Sequence, residues 1–171
     1  FKTYAEELKW LTTDKVRMKW VANTIKDIST SGNTLILVDR ISAGQILQEQ
    51  LKDSVFVSGS TKNTDRKEQY DEVSTATNKI IIATYGVASV GINIPRIFNL
   101  VLIEPGKSFV RVIQSIGRGI RKAEDKENVQ IWDITSSCKF AKRHLGARKK
   151  FYKEANYPYN IEKVNYENPY T

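Results

Sequence analysis

An α/β fold, a parallel sheet flanked by helices with further helices at both ends of the chain, is predicted by three features of this 171-residue sequence. Short apolar runs stand at 35–38, 55–57, 80–84, 100–103 and 129–134, each too short for a helix. They recur at about 20 residues or slightly more, which leaves room for a crossover helix between successive strands. They are also continuous rather than alternating, as expected of strands covered on both faces.

The composition supports one compact domain. Hydrophobic residues make up 40% and charged residues 27%, a globular balance that argues against disorder. Lys plus Arg number 27 against 19 Asp plus Glu, and the resulting +8 favours an acidic partner such as nucleic acid. No run approaches the roughly 18 apolar residues of a membrane-spanning helix. The first ten residues carry Glu6 and Glu7 and no apolar core, so no signal peptide is expected and no membrane partner. A single cysteine, Cys138, allows neither an internal disulfide nor a Cys-based zinc site, and a single His144 leaves little for a multi-His metal site. A reducing cytoplasm is the expected compartment.

Taken in order, residues 1–30 read as two helices, with Val16, Trp20, Val21, Ile25 and Ile28 at helical spacing and Ser31-Gly32-Asn33 as the stop. Residues 31–136 hold the five strands, and residues 137–171 a basic helix and tail. In the helix at about 137–155, Lys139, Lys142, Arg143, Lys149, Lys150 and Lys153 fall within one arc of about 120°. Phe140, Ala141, His144, Leu145, Phe151 and Tyr152 fall opposite, and no acidic residue lies between 139 and 153. This face reads either as a phosphate-binding surface or as a solvated edge. Arg148 lies on the apolar side and must snorkel or meet a partner. His144, Trp10, Trp20 and Trp132 read as packing residues, and 156–171, rich in Asn, Tyr and Pro, as an extended surface segment.

Two stretches are less generic. In IIATYGVASVGINIP, residues 81–95, a strand ends at Thr84, turns at Tyr85-Gly86 and runs through a short helix to Gly91-Ile92-Asn93-Ile94-Pro95. A hydroxyl and backbone N–H groups at the carboxyl end of a parallel strand can bind anions. In QSIGRGIR, residues 114–121, Arg118 and Arg121 share a helix face with Gln114, and Gly117 and Gly119 clear bulk beside them. Arginine suits phosphate because its planar, permanently charged fork binds it bidentately. Each stretch alone is also compatible with plain structure.

In this order and separation the two stretches resemble motifs V and VI of the second RecA-like domain of superfamily 2 helicases. Gly-Ile-Asn-Ile-Pro after the Thr84 strand resembles motif V, and Gln114, Gly117, Arg118 and Arg121 match the Gln-x-x-Gly-Arg-x-x-Arg of motif VI. The strand at 35–38 with Asp39-Arg40 resembles motif IV, and Ser58-Gly59 with Arg66 the segment between motifs IV and V. The resemblance covers about residues 33–136.

It implies a RecA-like helicase C-terminal domain whose nucleotide sits in a cleft against a first RecA-like domain. Arg121 would be the arginine finger with Arg118 beside it; such fingers are worth about 10³–10⁵ in rate. Gln114, Gly91 and Asn93 would face ATP, with Mg²⁺ held by the first domain. Many relatives carry Asp where Asn93 stands, and an amide cannot serve as a fixed negative charge. Thr84, Arg40, Gly59 and Arg66 would contact the backbone phosphates of DNA, branched or fork-like; Arg66 reads equally as a helix charge paired with Asp65 or Glu68. Lys142, Arg143, Lys149 and Lys150 would add a second nucleic-acid surface.

Walker elements are expected on an upstream domain. Gly106-Lys107-Ser108 mimics the end of a Walker A loop, but Val101 stands where its first glycine belongs and Pro105 lacks an N–H. Asp71-Glu72 mimics a Walker B pair without the buried strand before it. The chain is thus expected to be half of a DNA helicase motor and inactive alone. A non-catalytic nucleic-acid-binding module and an RNA-directed relative remain open at this point.

Overall fold

The computed structural model describes residues 2–59, 68, 77–89, 97–106, 109, 112, 113 and 129–164. Two helices open it. Helix α1 (Tyr4–Thr13) is capped by the Thr3 hydroxyl, which accepts from Glu6 N at 3.2 Å. Asp14 ends α1 and starts α2 (Lys15–Ser29): its backbone N–H bonds Trp10 O, while its carboxylate accepts from Arg17 N at 3.0 Å. A carboxylate at a helix N-terminus both satisfies an orphan N–H and opposes the macrodipole. One residue therefore sets the corner between the two helices.

The chain continues through β1 (Thr34–Val38), α3 (Ile41–Gln50), β2 (Val55–Val57), β3 (Ile80–Thr84), α4 (Tyr85–Ser89), β4 (Asn99–Ile103), β5 (Gln130–Ile134) and α5 (Lys139–Glu154). Among the described residues, the strands form one five-stranded parallel sheet in the order β2-β3-β1-β4-β5. The expected fold class, strands included, is what the structure shows. Central β1 is buried along its whole length because alternate side chains enter two different cores. Leu35 and Leu37 join Ile81, Ala83, Leu100 and Leu102 on one face, beneath α4, Phe109, Val112 and Tyr152. Ile36 and Val38 join Ile82, Val101 and Ile103 on the other, beneath Met18, Val21 and Ile25 of α2 and Ala43 and Leu47 of α3.

Two glycines hold tight approaches. Gly32 has φ +151°, and a Cβ there would stand 2.8 Å from the Phe98 ring. A Cβ on Gly44 of α3 would stand 2.5 Å from the Phe56 ring of β2, so only glycine lets that helix sit so close.

Three expectations change in detail. The turn expected at Tyr85-Gly86 is absent; α4 begins at Tyr85, since the Thr84 hydroxyl accepts from Val87 N at 3.3 Å and caps the helix directly on the strand. Trp10 and Trp132 are not core residues but 38% and 39% exposed, and the Trp132 indole donates to Asn99 Oδ1 at 3.2 Å. The tail is held at its start, where Tyr157 packs on the core, but Ile161 and Val164 are exposed.

Candidate nucleic-acid interface

Parallel strands in register bring their carboxyl ends to one edge, and that is where open α/β sheets bind ligands. Val38 pairs with Thr84, Val57 with Ala83, and Ile103 with Ile134. Asp39-Arg40, Ser58-Gly59, Thr84, Glu104 and Thr135 therefore share this edge. Its two halves differ in character.

On the β2, β3 and β1 half Thr84, Gly59 and Arg40 are accessible, while Ser58 is buried. Thr84 is half-buried, and its oxygen already accepts the α4 cap bond, which leaves its O–H able to donate outward. Gly59 is exposed, and a Cβ built there meets nothing within 4 Å. Arg40 occupies the N-cap position of α3 without a side-chain cap bond, and its Nε donates to Asp39 Oδ2 at 2.8 Å. That pairing orients the guanidinium beside the strand end while about a third of the side chain (32%) stays exposed. Asp39 Oδ1 is buried and has no hydrogen-bond partner among the described residues.

On the β4 and β5 half the edge is filled by the protein itself. Glu104, at φ +45°, turns back into the fold and is buried. Its Oε1 accepts from Arg17 Nη2 and its Oε2 from the Thr135 hydroxyl at 3.1 Å. Burial raises its carboxyl pKa from the usual 4.5 to about 7, and Arg17 and the Thr135 bond pull against that rise. Arg17 also donates to Leu11 O at 2.8 Å, which ties α2 to α1. The Tyr85 hydroxyl is buried as well and donates to Ile103 O at 2.9 Å; desolvation pushes its pKa well up.

Both terminal helices are fastened here. The buried Glu7 carboxylate of α1 accepts from Phe140 N and Ala141 N, each at 2.9 Å, and so caps α5, where Cys138 provides no side-chain cap. Arg148 is no snorkelling side chain: it is fully buried, forks onto Asp133 and donates to Pro105 O at 2.7 Å. His144 is buried edge-on against the Tyr4 ring, 4.7 Å between centroids. The opposite side of α5 carries exposed Lys139, Lys142, Arg143, Lys150 and Lys153 and half-exposed Lys149. The Phe140 ring lies 5.4 Å from Lys139 Nζ and 5.6 Å from the Arg143 guanidinium.

Thr84, Arg40 and Gly59 thus come together on one edge, and Lys142, Arg143, Lys149 and Lys150 share a helix face away from it. Gly91, Asn93, Gln114, Arg118, Arg121 and Arg66 lie outside the described residues, as do Asp71, Glu72, Lys107 and Ser108. Residues 101–106 make no phosphate cradle, because Val101 is paired in the sheet with Ile36 and Trp132. Among the described residues no group of three or more His, Cys, Asp or Glu could hold a metal ion. No described helix is long and apolar enough to cross a membrane. Of the buried ionic network that shapes the edge, the sequence signals Arg148's need of a partner but not the partner. A second signal is that Glu7 and Arg17 each interrupt an apolar stripe at helical spacing, Glu7 beside Leu8 and Leu11, Arg17 beside Val21 and Ile28.

The helicase conserved C-terminal domain family matches residues 16–123, more than half of the chain. The "ATP-dependent DNA helicase uvsW" of Enterobacteria phage T4 is 31% identical over 155 residues, which are 88% of this chain and 31% of that protein. "Putative helicase 22" of Sulfolobus islandicus filamentous virus is 31% identical over 58% of this chain and 18% of its own length. The chain therefore spans less than a third of either relative. The crystal structure of T4 UvsW superposes with a TM-score of 0.82 and 25% identity over 96% of this chain and 38% of that one. The C-terminal domain of the DEAD-box protein Dbp5 shares the fold at a TM-score of 0.63 and 19% identity, over 82% of this chain and 81% of that one.

Proposed function

The chain belongs to the helicase conserved C-terminal domain family, and on that premise we propose that it is the second motor domain of an ATP-dependent DNA helicase or translocase. The motor acts on branched or fork-like DNA in recombination, replication or repair. It works in the cytoplasm, that of the host cell if the gene is phage-borne. Its core is 31–136, with 1–30 leading in and 137–171 adding a basic flank.

The observation that carries the nucleic-acid half of this reading is Thr84. Its oxygen accepts the α4 cap bond while its proton can still donate at the edge, and a phosphate oxygen is a matching acceptor. Gly59 presents an edge without side-chain bulk, and Arg40, oriented by Asp39, supplies charge on the same side. Such contacts hold a strand without reading its sequence. The face formed by Lys142, Arg143, Lys149 and Lys150 adds salt-dependent affinity.

The nucleotide half rests on the motif residues. Gln114, Gly91 and Asn93 would line the nucleotide side of a cleft against an upstream RecA-like domain, which holds the Walker elements and Mg²⁺. Bound ATP would supply the phosphoryl transfer to water that drives opening and closing against that domain. Arg121, with Arg118 beside it, would place a permanent cation against the charge that develops there. Changing Arg121→Ala in the intact motor is the test. ATP turnover should fall by about 10³-fold or more with nucleic-acid affinity nearly unchanged; retained DNA-stimulated hydrolysis removes Arg121 from the role.

A further inference from the structure

Helix α5 does not simply end. Asn156 takes φ +59°, a left-handed conformation that asparagine tolerates, and the chain folds back on the helix. Ala155 N bonds Phe151 O at 2.9 Å, Asn156 N bonds Lys153 O at 3.2 Å, and Tyr157 N bonds Tyr152 O at 2.8 Å. The return places Tyr159 against Tyr152, with 6.1 Å between ring centroids, and Tyr157 against Phe151, at 6.2 Å. Between helix end and returning segment lies an open cavity of about 320 Å³, lined by Tyr152, Lys153, Asn156, Tyr157, Pro158 and Tyr159. Tyr159 is 45% exposed at its mouth. Lys149 and Lys150 stand one turn before Lys153 on the same helix face.

We propose that this cleft and the adjoining basic face form a second nucleic-acid site, specific for single strands. Unpaired bases stack on Tyr159 over the tyrosine-lined cavity, and the backbone runs along Lys153, Lys150 and Lys149. Aromatic faces beside a cationic track bind single strands without sequence preference, whereas bases inside a duplex have no free face to offer. The site is also rigidly mounted: Arg148 and Tyr152 of the same helix are bonded to Asp133 of β5. It stands on the β4 and β5 half of the fold, apart from Thr84 and Gly59 on β3 and beyond β2. This inference rests on the nucleic-acid reading above and adds to it a place for a displaced strand.

The test is fluorescence anisotropy of the full chain with a short fluorescein-labelled oligothymidylate and with a matched duplex, comparing Tyr159→Ala, Tyr159→Phe and Thr84→Val. Tyr159→Ala should weaken single-strand binding at least about five-fold, Tyr159→Phe should restore it, and duplex affinity should not move. Equal losses in Tyr159→Ala and Tyr159→Phe overturn the stacking role. Native affinity in Tyr159→Ala with a loss in Thr84→Val overturns the second site and leaves the edge reading standing. The converse pattern keeps the second site and removes the edge. If the native chain binds neither oligonucleotide, both fall.

Discussion

Arg148 Nε and Nη2 donate to Asp133 Oδ2 and Oδ1 at 2.7 and 2.9 Å, a two-point fork whose guanidinium is fully buried. Its remaining Nη1 reaches Pro105 O at 2.7 Å, and the Tyr152 hydroxyl donates to the same Oδ2 at 2.8 Å. One side chain thereby joins α5 to β5 and to the turn after β4. Asp133 is itself 15% exposed, and removing the fully buried Arg148 strands a mostly buried carboxylate. Arg148→Ala should cost about 3–5 kcal/mol of stability in urea unfolding. Arg148→Lys should recover little of that loss, since an ammonium keeps the charge but not the fork.

Glu104 gives the stability a pH dependence of definite sign. Its carboxyl holds a proton up to about 7 in the fold, against 4.5 ordinarily. A raised carboxyl pKa means that the native state binds the proton more tightly than the unfolded chain. The stability it contributes is complete below about 4.5, falls as the pH rises, and is gone above about 7. Glu104→Gln can still accept from Arg17 and meet Thr135, so it should fold. Its unfolding midpoint, followed across that window, should decline less steeply than that of the native chain.

Gly32 fails as an alanine for two independent reasons, a φ of +151° and a Phe98 ring 2.8 Å from the new methyl. Overpacking of this kind costs about 1–3 kcal/mol. Gly32→Ala should lose at least that much, and adding Phe98→Ala should return part of it, because the two sites touch and their effects do not add. Equal losses with and without the ring would remove the close approach as the cause.

The two nucleic-acid surfaces should respond differently to salt. Thr84 carries no charge, so Thr84→Val should weaken binding while leaving the salt slope unchanged, and Thr84→Ser should restore the affinity. Lys142→Ala, Arg143→Ala, Lys149→Ala and Lys150→Ala each remove a cation. On single-stranded DNA, each should reduce the slope of log K against log salt by about 0.7 for every phosphate that goes unneutralised. Titrations at several salt concentrations separate the two behaviours.

The sheet was legible because strands covered on both faces leave continuous apolar runs, and Leu35, Ile36, Leu37 and Val38 feed two cores in alternation. The break at Gly86 misled, because glycine marks a turn only where nothing else organises the backbone; here the Thr84 hydroxyl starts a helix at once. The ionic ties of the terminal helices were half legible. Arg148 on an apolar face announces a partner, but nothing near it in sequence names Asp133, which sits 15 residues away on a strand. Glu7 reaches Ala141 across 134 residues, a distance over which local pattern carries no information. The helicase motifs were legible as spacing and residue type, which is how chemistry without a local fold signal is written. Of their positions, Thr84, Arg40 and Gly59 are the ones whose geometry is now described.

The proposed motor requires this chain to supply half of a shared ATPase site. The direct measurement is ATP hydrolysis by the chain alone and combined with an upstream RecA-like domain, with and without branched DNA. No turnover by the chain alone, and DNA-stimulated turnover by the pair that disappears with Arg121→Ala, is the expected result. Turnover by the chain alone would contradict the division of labour and return Gly106-Lys107-Ser108 to consideration. No turnover in either case, with DNA still bound, would make the chain a binding module rather than a motor.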